Sequence, residues 1–308
     1  MYSETRSYRN RLIAMLGAAA VACAAAAASA QPYPSRTVEF IVHTNPGGGT
    51  DVFARVVTEI MTRDKLVSQP LVVQSRTGGA GVIAFTYAKG KRGDPHTVLT
   101  IATGSFLTAA ARTDLDLGLE HFTPLAFFAR DPQGIIVNAD SKYRTFKDLL
   151  DDAKGQPDSI VGAVTSATGT ARMTLWRMER ETGAKFKFVT FKAGSEAVLS
   201  VLGGHVPFTT EQRMPALPDV PTLIELGYKI QIGTGRGFVM PAGVPKDAVA
   251  VMEALLEKVH KSARWREYAV NNLYEDRWMG SAEFARYLAE QRVAQREFVE
   301  GIGLSKKP

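Results

Sequence analysis

Cysteine is nearly absent from this 308-residue chain, which has one, Cys23. A single thiol closes no internal disulfide and builds no cysteine-rich zinc site, so neither framework holds the fold. Signatures of catalysis are missing as well. The glycines at 47–49 are not followed by the Gly-Lys-Ser/Thr of a P-loop, and no G-x-G-x-x-G follows the first strand-like run. No G-x-S-x-G nucleophile elbow occurs. The five histidines, His43, His96, His121, His205 and His260, show no short metal-ligand spacing. Neither sign of charge dominates, with 37 Lys and Arg against 31 Asp and Glu for a net charge of +6. The basic residues are scattered and their runs (89–92 and 306–307) are short, so nucleic acid is not an expected partner. What remains is an ordinary globular composition, 45% hydrophobic and 22% charged. At roughly 100–200 residues per domain, the length fits two domains.

The N-terminus differs from the rest. Arg6, Arg9 and Arg11 face a single Glu4, an uncharged alanine-rich stretch spans 12–28, and Ala28-Ser29-Ala30 precedes Gln31. A basic region, an apolar region and a small-x-small site describe a secretory signal peptide cleaved after Ala30. A membrane anchor is the competing reading, but the stretch is short and too weakly apolar to hold a bilayer span well. A lipoprotein modified at Cys23 is another, although Ala20-Val21-Ala22-Cys23 lacks the Leu usual three residues earlier. Cleavage leaves 31–308 without any thiol and with a smaller positive charge, which favours anionic small ligands at most.

Past the leader, residues 37–44 form a β-branched run that ends at Asn45-Pro46-Gly47-Gly48-Gly49. Val52, Phe53, Val56, Val57 and Ile60 then recur on one helical face. Strands are expected at 71–74 and 97–102, with Thr77-Gly78-Gly79-Ala80-Gly81 opening a helix over 82–89 between them. Strand, glycine loop and helix repeated in this way is the alternation of an α/β domain with a parallel sheet. The pattern resumes with strands at 125–129, 134–137, 160–164 and 186–191. Thr145 is expected to cap a helix with Asp148 three residues on. Further helices are expected from Thr170 to a stop at Gly183, and from 194 to Leu202. The C-terminal part reads as mainly helical. Pro245 opens one helix with Val249, Met252, Leu256 and Val259 as its buried stripe, and Ser281 caps the last. Met173 and Trp176 read as core-packing residues.

Four Gly/Ser/Thr-rich loops (46–51, 77–82, 165–170 and 193–196) each join a strand end to a helix start. A helix N-terminus offers unpaired N–H groups and partial positive charge, so it attracts carboxylate or phosphate. In open α/β sheets ligands collect at the carboxyl ends of the strands. Any one such loop is ordinary punctuation, whereas four together point to a cleft that grips an anion from both sides. His43 stands out because it ends the first strand beside the first loop. Asp51 has two readings, contact with a ligand amine or stabilisation of its helix dipole.

Several segments occur in an order that resembles the Bug family of periplasmic solute receptors, which serve tripartite tricarboxylate transporters. They are YPSRTVEFIVHTNPGGGTDVFAR from Tyr33, PLVVQSRTGGAGVIA from Pro70, FKAGSEAVLSVLGGHV from Phe191, LPDVPTLIELGY from Leu217 and GFVMPAGVPKD from Gly237. The resemblance implies a type II periplasmic-binding-protein fold, in which two α/β lobes close over a small carboxylated ligand. It implies binding without chemistry, no cofactor and no metal, and membrane transporter subunits as partners of a monomer. Carried over by position, the ligand-binding residues are Gly48, Gly49, Thr50 and Asp51, then Gly79, Ala80 and Gly81. Thr103 and Ser105 follow at the crossing between lobes, then Ser166, Thr168 and Gly169, and finally Ala193 and Gly194.

The chain departs from that pattern in three places. His43-Thr44 replace the usual Pro-Phe, so a polar pair stands where an apolar wall is expected. Ser75 and Thr77 stand where Asn and Pro are usual. Arg236 lies near a position often held by Trp, either as a bidentate partner of a ligand carboxylate or in an exposed salt bridge. Third, the stretch from Val206 to Leu217 is shorter than the connection such receptors carry there, so the second lobe is expected to lack an element. The expected division is a signal peptide at 1–30, lobe 1 from 31–105 and 223–308, and lobe 2 from 106–222. Three other functions stay open: a receptor presenting its ligand to a membrane sensor, an exported α/β enzyme, and a degraded paralogue that no longer binds.

Overall fold

A computed structural model of the protein describes residues 33–191, 194–212, 223, 225–228, 230 and 233–304. The leader at 1–30, Ala193 and the short connection after 212 lie outside these residues. All elements named below belong to the compact unit that starts at Arg36.

The β-branched run forms β1 (Val38–Val42), paired in parallel with β2 (Leu71–Ser75) and β3 (Thr97–Ala102). Between these strands lie α1 (Gly49–Arg63) and α2 (Val82–Gly90), the latter entered through a tight turn at Gly79–Gly81. The buried stripe of α1 runs through Phe53, Ala54, Val57, Ile60 and Met61. Val52, expected on it, is 37% exposed, because Ala54 and Met61 set the buried face one position further round.

After α3 (Thr103–Ala111) the chain enters β4 (Phe122–Val137), sixteen residues long. Expected as separate strands at 125–129 and 134–137, this stretch runs unbroken through Asp131-Pro132-Gln133-Gly134. Its neighbours keep it extended. Residues 122–132 pair antiparallel with β8 (Gly233–Pro241), and 133–137 pair antiparallel with β7 (Phe208–Gln212). A register shift follows Pro124, which has no N–H to donate to the ladder. The second sheet continues through β5 (Ile160–Val164) to β6 (Phe186–Thr190), in the overall order β2-β1-β3-β8-β4-β7-β5-β6. Around it lie α4 (Phe146–Gly155), α5 (Thr170–Thr182), which stops at left-handed Gly183, and α6 (Gly194–Leu202).

The C-terminal part is mainly helical, as expected, but it also carries two strands. Besides α7 (Lys246–His260), α8 (Ala263–Asn271) and α9 (Ser281–Gly301), it supplies β8 and the edge strand β9 (Glu275–Gly280), which pairs with β4. Ser281 is the first residue of α9 and Gly280 is its cap. The Ser281 N–H donates to Glu253 Oε1 at 3.1 Å.

Packing assigns the lobes. On one side of the first sheet Phe53 stacks on Phe238 at 5.1 Å, and Phe128 meets Phe238 and Trp265 edge-on at 5.3 and 5.0 Å. A second cluster holds Ile41, Phe85 and Leu99 together with Phe106, Leu107, Phe122 and Phe127. Residues 106–127 therefore belong to the first core, and the passage between sheets falls near residue 132 inside β4, not at 105/106. The return is displaced too, since Leu223 and Ile230 join Leu149, Leu175 and Phe208 in the core of the second sheet. Each large apolar side chain buried in this way contributes about 1.5–3 kcal/mol. Met173 does pack in a core, with Ala111, Phe298 and Val299, and Trp176 meets Phe298 at 5.6 Å.

The expected cap of α4 forms in full. The Asp148 N–H donates to Thr145 Oγ1 at 3.2 Å, and the Thr145 N–H donates to Asp148 Oδ2 at 2.8 Å. Thr145→Ala removes one of these bonds and is expected to lower stability by about 1 kcal/mol, read as a reduced urea midpoint with unchanged slope.

Candidate functional site

The first loop is folded by its own side chains. Gly47 takes a positive φ of 82°, and the Gly48 N–H donates to the Asn45 carbonyl at 2.9 Å. Gly48 is required here, because a Cβ would fall 2.7 Å from the Thr44 Cβ. Thr44 Oγ1 accepts from the Asp51 N–H at 3.2 Å. The Asp51 carboxylate turns back to accept from the Gly47 N–H and Arg55 Nε, each at 2.9 Å. Burial works against its charge, but the bonds from Arg55 and Gly47 outweigh it and hold the carboxyl below the usual range. Asp51 thus shapes the loop, a role beyond the two expected for it. Gly48, the N-cap of α1, has no side chain to offer, and with the Asp51 N–H taken by Thr44 the first turn presents the N–H of Gly49.

The second loop places Gly78, Gly79, Ala80 and Gly81 in succession at φ of 126°, 59°, 55° and 103°. Ala80 is costly in that region, by about 1–2 kcal/mol. Gly79 and Ala80 are exposed, while Gly81 is buried against Phe85 and His43. The His43 ring lies 5.5 Å from that of Phe85, and its Nδ1 is buried with no hydrogen-bond partner among the described residues. Burial, helped by the charge of Arg236, pushes its pKa down to about 4, so the imidazole is neutral at pH 7.

Arg236 forms a buried ion pair, not an exposed one. It sits in β8 at 3% exposure, paired through one terminal nitrogen with Asp131 of β4, while the other donates to Thr50 Oγ1 at 3.1 Å. This buried pair ties the two crossing strands to the first turn of α1. Asp131 is the residue that sequence reasoning missed. Its signal was a charge in a strand-like context, hidden by a neighbouring Pro and Gly. Tyr268 and Tyr274 stand near the pair, and burial pushes both phenols up, so they remain neutral.

Thr103 begins α3, and its Oγ1 accepts from the Gly235 N–H at 2.8 Å, which ties it to β8; Ser105 is half-buried. On the second sheet the Thr168 N–H donates to Ser166 Oγ at 3.2 Å, the two hydroxyls are 3.3 Å apart, and the Gly169 N–H donates to the Ser166 carbonyl at 3.4 Å. Gly169 precedes α5 without a side-chain cap, and Gly194 opens α6. The starts of α3 and α5 touch, since a Cβ on Gly104 would fall 2.4 Å from Thr170 Oγ1. No group of three or more His, Cys, Asp and Glu able to hold a metal occurs among the described residues, and no helix there is long and apolar enough to cross a membrane.

Two sheets sharing a long strand, with glycine and hydroxyl loops at the carboxyl ends of their parallel strands, define a two-lobed solute-binding receptor of the type II periplasmic-binding-protein fold. The chain belongs to the family described as tripartite tricarboxylate transporter family receptor, whose model matches residues 53–210. It is 30% identical over 282 residues to protein BugT of Bordetella pertussis, covering 82% of this chain and 86% of that one. Among solved structures it resembles a ligand-free TctC solute-binding protein from Polaromonas. That likeness has a TM-score of 0.70 and 27% identity, over 87% of this chain and 99% of the other. The fold is also that of malate-bound MatC from Rhodopseudomonas palustris, with a TM-score of 0.75 and 21% identity over 87% and 100% of the two chains. The family is one of binding proteins, and the chain is accordingly not an enzyme.

Two outcomes follow from this geometry. Arg236→Met leaves the Asp131 carboxylate buried without its guanidinium and is expected to cost about 3–5 kcal/mol in urea unfolding. Replacing both partners by apolar residues should recover most of that. For His43, stability is full above pH 6.5 and declines toward pH 4, because the unfolded chain takes up a proton that the buried imidazole refuses. His43→Gln should flatten a plot of stability against pH across that window.

Proposed function

We propose that this receptor is exported to the periplasm after cleavage at Ala30, where as a monomer it captures a small organic carboxylate and delivers it to the membrane subunits of a tripartite tricarboxylate-type transporter. The observation that carries this reading is the pair of loop sets. Backbone N–H groups at Gly49, Gly79 and Ala80 stand at one sheet, with Gly48 and Gly81 shaping the turns that present them, and Ser166, Thr168, Gly169 and Gly194 stand at the other. Each set sits at a strand end that opens an uncapped or glycine-entered helix. In this proposal the loops of the two lobes face each other across a cleft, and Thr103 and Ser105 line its floor. Ala193 belongs to the set by position.

Donors of this kind suit carboxylate oxygens, since they offer N–H and O–H bonds and partial positive charge without a fixed counter-charge. Arg236 is absent from the set because its guanidinium is held by Asp131 and Thr50. The polar His43-Thr44 pair lies behind the first loop, where Thr44 braces Asp51 and neutral His43 offers one further polar atom. Malate, the solute named for MatC, is the natural first probe, beside succinate, citrate and aromatic acids.

Ligand-stripped protein should gain thermal stability with one of these acids, and titration calorimetry should give saturable binding. Ser166→Ala and Thr168→Val should each weaken that binding about five- to tenfold, as expected for one lost hydrogen bond. No stabilisation by any acid in the series would overturn the proposed solute class.

A further inference from the structure

His43 follows β1 directly, where both loops of the first sheet leave it. Strands β1 and β2 end level with each other, since Val42 pairs with Ser75. Side chains alternate along a strand, so the His43 ring shares a face with Ile41, which packs in one cluster with Phe85 of α2. The two rings are 5.5 Å apart, and a Cβ on Gly81 would fall 3.4 Å from the His43 Cβ. Thr44 of the first loop is its neighbour in the chain, and Gly81 closes the second loop. The imidazole is therefore wedged between the two loops to which the carboxylate is assigned.

Its two nitrogens stand in different surroundings. Nδ1 is buried and has no hydrogen-bond partner. The side chain as a whole is half-buried, and Nε2 neither bonds to a described residue nor belongs with the buried unpaired atoms, so it is the nitrogen that meets solvent. Burial, with the charge of Arg236 as the lesser cause, keeps the ring neutral at pH 7, so it carries one N–H and one bare nitrogen. An interior tolerates an unpaired acceptor better than an unpaired N–H. The proton accordingly sits on Nε2, and the carboxyl end of β1 presents an uncharged donor outward.

Solvent satisfies that donor until a solute covers it. A solute oxygen placed there replaces the lost water. An apolar chain does not, and leaving the N–H unpaired costs about tenfold or more in affinity.

We propose that His43 sets the solute preference of this receptor: its Nε2–H donates to a second oxygen function of the solute, a carboxylate, hydroxyl or keto oxygen, beside the carboxylate held by the loop N–H groups. Acids whose remainder is apolar are disfavoured. This role rests on the carboxylate-binding reading above, to which it adds a selecting residue and a narrower class of solute.

The test is titration calorimetry on purified, ligand-stripped protein. The tightest binder among malate, succinate, citrate and aromatic acids is compared with an analogue of equal length that lacks the second oxygen function, such as butyrate for succinate. The oxygen-bearing acid should bind at least about tenfold tighter. His43→Phe should shrink that preference about tenfold, chiefly by weakening the oxygen-bearing acid, and His43→Gln, which keeps an N–H donor, should restore most of it. Arg63→Gln, which touches only an exposed pair with Glu59, should leave the preference unchanged. Long-range proton–nitrogen NMR spectra of histidine-labelled protein, with His43 assigned by its loss in His43→Gln, should show the Nε2–H form at pH 7. Binding of no acid at all would overturn the solute class and this role with it. Binding with equal affinity for the analogue, an unchanged preference in His43→Phe, or a proton on Nδ1 would each overturn the role of His43 alone. Should His43→Phe not fold, the wild-type preference and the position of the proton decide.

Discussion

The hydrogen bonds of β4 join the two halves of this molecule. One strand gives residues 122–132 to β8 and 133–137 to β7, so two sheets with separate cores are continuous through a single backbone. Strand pairing is directional and sets register, which means that the orientation of the second core is inherited from the first. The proline at 124 and the register shifts nearby are local departures that the pairing on both sides absorbs.

At that crossing the fold places its most expensive polar contact. Asp131 and Arg236 come from the adjacent strands β4 and β8, and both are buried. An ion pair in such a position owes little to net stabilisation, because desolvation offsets most of the Coulomb attraction. Its consequence is positional. With one nitrogen on Asp131 and another on Thr50, Arg236 fixes the first turn of α1 relative to the strands that lead into the second sheet. Asp51 and Thr44 then shape the preceding loop from within. Asp51 and Arg236 are spent on structure, and the exposed part of the loop, Asn45 to Gly47, carries no charge.

Such a surface matches a receptor that must release what it binds. Hydrogen bonds from neutral groups can hold a carboxylate without the deep trap of a buried counter-ion.

Much of this was readable in the residues themselves, wherever the signal is local. Ile160–Val164 forms the strand that its β-branched run announces, Thr145 and Asp148 form the reciprocal cap, and Gly183 ends α5 in the left-handed conformation. The glycine run at 78–81 announced a specialised turn, and four consecutive positive φ values answer it. Other features depended on partners distant in sequence. GTGRGFVMP has too much glycine and an internal Arg to announce a strand, and becomes β8 because β3 and β4 flank it. Asp131-Pro132-Gln133-Gly134 has the composition of a turn and is kept straight by two different neighbours. The lobe boundaries at 105/106 and 222/223 follow loop positions, whereas Phe106, Leu223 and Ile230 go where apolar surface can be buried. The amino-acid sequence alone determined the α/β alternation, the strand-end loops and the family, because helix periodicity, capping and glycine turns act over a few residues. Tertiary structure decided which charges were free to meet a ligand, because the partner that occupies Arg236 lies 105 residues away and reaches it only when β4 and β8 pair.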